Sequence, residues 1–163
     1  FSHTSVGLLT LLRLLPMLGA AYYFGTRKSL NFVFPAVALL AFVIHPVGRT
    51  VWFFPIFWTI PIIVKFLPAT YAENSFVRGL GATFTAHAIG GAIWIWSVPM
   101  TADQWIGLIP VVAYERLLFA GGIGVSYLLM NTVLDKLDHS VTDGVVFVDE
   151  RKVLSIKSLL NHN

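Results

Sequence analysis

Four ionisable side chains lie inside stretches that are otherwise apolar: Arg13, His87, Glu115 and Arg116. A charge at the centre of a bilayer costs at least ~2.5–3.5 kcal/mol on insertion scales, so each such residue needs a partner. Glu115 and Arg116 are adjacent, and they are the only ionised groups from Ile106 to Leu134. Neighbours on a helix point about 100° apart, so the two are expected to serve different faces rather than pair with each other. The simplest closure joins Glu115 to Arg13 or His87. One arginine is then left over, and excess positive charge inside lipid favours a bound carboxylate, phosphate or other anion. The same groups could instead lock helix packing through buried ion pairs. An acid–base or proton-relay pair of His87 with Glu115 is chemically open as well, since both titrate.

These residues can meet only if helices bring them to one depth. Hydrophobic residues make up 56% of the chain and charged residues 12%, with mean hydropathy +0.77. Soluble domains carry about 25% charged residues, so the shortfall places the chain in an integral membrane class. The absence of cysteine excludes disulfides, thiolate metal sites, iron–sulfur clusters and cysteine nucleophiles. The small net charge of +3 is spread over loops and indicates orientation, not nucleic-acid binding. The chain opens on Phe1 rather than Met, which leads us to expect a preceding segment. Residues 5–24 do not read as a signal peptide, because the apolar run is too long and Arg13 interrupts it.

The apolar runs predict an all-α, polytopic transmembrane helix bundle over 1–134, with five spans, followed by a polar cytoplasmic tail over 135–163. The spans are placed at Ser5–Phe24, Leu30–Ile44, Val51–Leu67, Val77–Val98 and Trp105–Leu134. Pro16, Pro110 and Gly121-Gly122 are the expected places for bending. In the tail, VVFVDERKVLSI is expected to form a hairpin or an amphipathic piece. Arg27, Lys28, Lys65, Arg78 and Lys136 fall on one side of this layout and Arg49 on the other, which puts the C-terminus in the cytoplasm. Trp94, Trp96 and Trp105 are then expected in an outer aromatic belt.

At ~1.5 Å per helical residue, Arg13 lies roughly 12 Å below the outer boundary, His87 about 15 Å, and Glu115 and Arg116 ~15–17 Å. The expected ligand-binding set is therefore Arg13, His87, Glu115 and Arg116, with Thr83 facing a cavity or back-bonding and Trp94 stacking near the mouth or anchoring the interface. Thr85 is open to the same two roles as Thr83, and back-bonding is the usual one. His45 reads as a surface histidine beside Pro46, and Asn131 as bonding a neighbouring helix. Ala82, Ala86 and Gly90 repeat at spacing four, which allows close approach of a helix of this chain or of a partner membrane subunit. No HExxH, GxSxG, paired-Asp or P-loop pattern occurs, so no catalytic residue, metal ligand or cofactor is assigned. Active transport would need an outside energy source.

In size, in a layout extendable to six spans with both ends inside, and in its kinked helices carrying Ala82-x3-Ala86, the chain resembles the substrate-binding S component of energy-coupling-factor vitamin transporters. The resemblance covers residues 1–134. It implies a small-molecule pocket opening outward and partner ATPases in a complex. The leading expectation is a multi-pass protein of a prokaryotic-type plasma membrane, in contact with membrane lipid, that binds or permeates a small, anionic molecule as a transporter subunit. A structural subunit of a larger membrane complex is the alternative, and a membrane-embedded enzyme using His87 and Glu115 the third.

Overall fold

The computed structural model describes residues 3–26 and 29–137, together with Val148, Lys152 and Val153. Every regular element among the described residues is helical. By its internal contacts the chain divides into two compact units, Phe1–Gly121 and Gly122–Asn163.

In the first unit, α1 (His3–Gly25) runs through the first predicted span with Pro16 inside it. A 3-10 turn, Ser29–Phe32, leads into α2 (Val33–Ile44). His45 then takes an extended backbone, and its Nδ1 accepts the Val47 N–H at 3.2 Å, capping the short α3 (Pro46–Thr50). The third predicted span is not one continuous helix. A turn at 51–53, a 3-10 helix Phe54–Trp58 and α4 (Thr59–Phe66) share it. Pro55 and Pro61 each sit in the first turn of their own segment, where a missing N–H costs no helical bond. The polar connector holds one further turn of helix, α5 (Ala69–Ala72).

Two long helices follow. Asn74 starts α6 (Ser75–Ser97), its Oδ1 accepting the N–H groups of Phe76 at 2.9 Å and Val77 at 3.4 Å. This satisfies donors that the first turn leaves without helical partners. Val98 ends α6, and α7 (Ala102–Leu137) is assigned as continuous through Pro110 and Gly121-Gly122. Among the described residues one helix, Ala102–Leu137, is long and apolar enough to cross a membrane; Leu30–Ile44 and Phe54–Phe66 are apolar but shorter.

The first unit is built around α6, which packs against α1, α2 and α4. A helix covered on several sides must present small or apolar residues in several directions. Gly79, Gly81, Ala82, Thr83, Phe84, Ala88, Gly91 and Ile95 of α6 are all buried. Two of these glycines are required by close approach. A Cβ on Gly81 would lie 2.6 Å from Tyr23 Cζ, and one on Gly91 would lie 2.6 Å from Trp58 Cζ2. Ala82 is buried with Tyr23 and Val64, so this part of the small-residue stripe is used within the chain. Tyr23 holds its place by donating its hydroxyl to the Pro61 carbonyl at 2.7 Å.

A second cluster is an aromatic core of Phe42, Phe54, Trp58 and Trp105. The Trp105 ring meets Phe42 at 5.0 Å and Phe54 at 4.9 Å, both edge-on. Such pairs add about 0.5–1.5 kcal/mol each beyond the area they bury. Trp105 therefore anchors the start of α7 in the core and does not belong to an outer aromatic belt. At 2% exposure it differs from Trp94 and Trp96, which are 51% and 58% exposed. Trp96 instead donates Nε1–H to the Ala41 carbonyl at 3.0 Å and packs edge-on against His45.

At the Gly25 end of α1, Lys65 donates to the Thr26 carbonyl at 3.3 Å and Arg78 donates to the Phe24 carbonyl. Cations there meet the open carbonyls and the negative end of the helix dipole. In the second unit, Asn131 Nδ2 donates to the Tyr127 carbonyl of its own helix at 2.8 Å, and Thr132 likewise bonds Leu128. The segment expected to form a hairpin, 145–156, lies outside the described residues except for Val148, Lys152 and Val153.

Candidate functional site

Thr83, His87 and Trp94 lie on α6, and Glu115 and Arg116 on α7, all within the first unit. Spacing of about four and seven residues stacks Thr83, His87 and Trp94 toward one side of α6. That side faces an open groove of about 350 Å³, lined by His87, Arg116, Trp105, Trp94 and Leu108, with Pro16 of α1 and the small residues Ala86, Gly90 and Gly91. The volume falls at the low end of the range for small-molecule sites, about 300–1,000 Å³.

Arg116 crosses from α7 toward α6. Its Nη1 donates to Thr83 Oγ1 at 3.3 Å, and its guanidinium lies 4.8 Å from the Phe119 ring centre. Its Nη2 reaches Glu115 Oε2, also at 3.3 Å. The adjacent pair therefore does close on itself, against the expectation from helical geometry. The 100° between their Cα–Cβ directions is bridged because both side chains are long and Glu115, at 49% exposure, is free to swing. The contact is long for a charge-assisted bond, and it leaves much of the guanidinium unengaged. Arg116 itself is 18% exposed, and its Nε is buried without an acceptor.

His87 sits over the aromatic core, with its ring 6.0 Å from Phe54 and 5.9 Å from Trp58. Its Nε2 is buried and unpartnered, as is Trp105 Nε1. A buried donor without an acceptor costs about 1–3 kcal/mol, which applies to the Arg116 and Trp105 N–H groups. Thr83 is 4% exposed and contributes as the partner of Arg116 rather than by lining the groove. Thr85, in contrast, back-bonds to the Gly81 carbonyl at 2.8 Å. Trp94 lines the groove while its Nε1–H is directed to Met100 Sδ at 3.0 Å.

Arg13 is exposed on α1 and does not line the groove, although Pro16, one turn later, does. Glu115 does not line it either. Trp105 is the residue that sequence reasoning missed. Its position at a span end matched the pattern of an interface anchor, and nothing local marked it as core. Among the described residues no three His, Asp or Glu side chains gather to hold a metal ion.

A larger cleft of about 640 Å³ between α1, α2 and α6 is lined by apolar side chains such as Leu15, Leu18, Val37 and Ile89, with Tyr22 at one margin. It lacks the convergent polar groups that would orient a ligand. No family model, curated protein or solved structure matches the chain. The groove combines one cation, Arg116, with the His87, Trp94 and Trp105 rings and otherwise apolar side chains.

Proposed function

We propose that the chain is an integral membrane protein that binds or passes a small anionic molecule through the groove between His87 and Arg116, as a subunit of a transporter. The observation that carries this reading is that Arg116, a cation bonded only to Thr83 and, at 3.3 Å, to Glu115, lines one groove with His87 and Trp105. An arginine side chain can only donate, so a further partner for it is an acceptor. With a cation present, an anionic acceptor forms the stronger bonds.

The membrane setting rests on apolar surface. Met17, Leu18, Val37 and Leu40 of the first unit are 58–71% exposed, and Leu117, Leu118 and Phe119 of α7 are 52–57% exposed. Water-soluble monomers rarely expose apolar patches beyond a few hundred Å². In the five-span arrangement, Leu30–Ile44 and Phe54–Phe66 serve as short spans in a thinned or locally packed region. Lys65 and Arg78 gather at the Gly25 end of α1, and Arg49 lies at the opposite end beside His45. That polarity favours a cytoplasmic C-terminus. The likeness to energy-coupling-factor S components fits this reading, with a groove opening outward and energy from partner ATPases.

A structural subunit of a larger membrane complex is the second reading. It is favoured by α7, only 17% of whose most apolar window is buried within the fold. Native mass spectrometry of gently purified wild type and Arg116→Gln separates the two. The wild type should carry an acidic small molecule, and the variant should lose it or bind it at least about tenfold more weakly. A wild type carrying only partner chains, or a variant that keeps the same small molecule, refutes the binding function.

A further inference from the structure

We infer that His45 is a pH-sensitive latch: its neutral ring caps α3 while packed on α6, and protonation releases the cap. The inference stands on the contacts of the corner between α2 and α3 and does not depend on the anion-binding reading.

That corner is closely packed. The His45 N–H donates to the Phe42 carbonyl at 3.2 Å, and the Arg49 N–H donates to the His45 carbonyl at 3.0 Å. Gly48 is buried, and a Cβ there would collide with the Phe42 carbonyl oxygen, so α3 lies hard against the end of α2. Pro46 opens α3 and has no N–H to satisfy. Val47 is therefore the first residue of α3 whose N–H needs a partner, and His45 Nδ1 accepts it at 3.2 Å. The same imidazole meets the Trp96 ring of α6 edge-on at 4.8 Å, and Trp96 donates its Nε1–H to the Ala41 carbonyl of α2. One side chain thus serves both the cap of α3 and the contact with α6.

An imidazole nitrogen accepts a hydrogen bond only while it carries no proton. With Nδ1 as the acceptor, the neutral ring holds its one proton on Nε2. A second proton must go to Nδ1, where it turns the acceptor into a donor aimed at another donor. The bond to Val47 is then lost and the ring has to turn away. Histidine is the side chain that makes this change between about pH 8 and pH 5.

The surroundings leave room for that turn. A pocket of about 500 Å³ lies beside the ring, and Val47, Ile95, Trp96, Met100 and Thr101 are on its wall. Apart from His45, no residue lining it is ionisable. Of the helices at the corner, α2 carries no charged residue, and the ionisable residues of α6, Arg78 and His87, stand at least nine positions from Trp96. The nearest charged residues along the chain are Arg49 on α3 and Asp103 in the first turn of α7, and both are exposed.

The chain also shows which residue makes this cap without titrating. Asn74, at the start of α6, accepts the N–H two residues on, that of Phe76, at 2.9 Å. His45 and Val47 stand in the same relation. His45→Asn should therefore keep the cap at every pH. His45→Phe keeps a ring against Trp96 and removes the acceptor.

The test is thermal unfolding of the purified full chain in detergent at pH 8 and pH 5, followed by near-UV circular dichroism, for wild type and both variants. Comparison at equal pH removes the effect of every other group that titrates. At pH 8 the wild type should melt with His45→Asn, and His45→Phe about 1–8 °C lower. At pH 5 the wild type should fall to the level of His45→Phe or below, with His45→Asn about 1–8 °C above it. A wild type that follows His45→Asn at both pH values overturns the latch, whether the ring stays neutral or the cap survives its charge. His45→Phe melting with wild type at pH 8 overturns it as well, because the cap then contributes nothing. If His45→Phe does not fold, the other pair decides alone: a gap between wild type and His45→Asn must open on going from pH 8 to pH 5, and its absence refutes the inference.

Discussion

Replacing Gly81 by Ala tests whether the packing of α1 on α6 is as close as the structure shows. A Cβ at this position would stand 2.6 Å from Tyr23 Cζ, well inside contact distance, and Tyr23 is 2% exposed. The ring cannot simply swing away, because its hydroxyl bonds the buried Pro61 carbonyl at 2.7 Å. Overpacking costs about 1–3 kcal/mol, and losing the Tyr23–Pro61 bond costs a further ~1–3 kcal/mol. Helix propensity returns about 1 kcal/mol for glycine to alanine. The net is a destabilisation of about 1–5 kcal/mol, centred near 3, or roughly 6–12 °C in the midpoint of a chain this size. The assay is thermal unfolding in detergent, followed by near-UV circular dichroism. Gly107→Ala is the control, since a Cβ there meets nothing within 4 Å, and it should be neutral or stabilising by up to ~1 kcal/mol. Tyr23→Leu combined with Gly81→Ala should recover about 0.5–3 kcal/mol through coupling. If Gly81→Ala melts with Gly107→Ala and wild type, α1 does not pack on α6 through Tyr23.

Further predictions concern the anchors of α7 and α6. Trp105→Ala removes the edge contacts to Phe42 and Phe54 and should destabilise the first unit by about 3–5 kcal/mol, read by the same melt. Asn74→Ala removes the side-chain cap of α6 and should cost about 0.5–2 kcal/mol, whereas Asn74→Asp should hold stability near wild type. A melt of Asn74→Ala indistinguishable from wild type would show that water satisfies that helix end equally well.

Helix content and the ends of the long helices were legible in the sequence. Spans one, four and five were placed within a few residues of α1, α6 and α7, because apolar runs and the polar, proline-punctuated stretches between them are local signals. The continuity of the third span was not legible. Pro55 and Pro61 were visible, but whether a proline bends a helix or starts a new one depends on what packs beside it.

For the candidate site, height along each helix was legible in the sequence and rotation about its axis was not. Residue count along a helix gives height at ~1.5 Å per step, so His87 and Arg116 were expected at one level, and both line the groove. Each further residue also turns a side chain by about 100°, and which direction faces a neighbour is set by tertiary packing. That rotation leaves Arg13 exposed while Pro16 lines the groove, and it buries Trp105 against Phe42 and Phe54. Rotamers decided the remaining point. Glu115 and Arg116 diverge at Cβ but meet at 3.3 Å through their long side chains, which leaves Arg116 Nε buried without an acceptor.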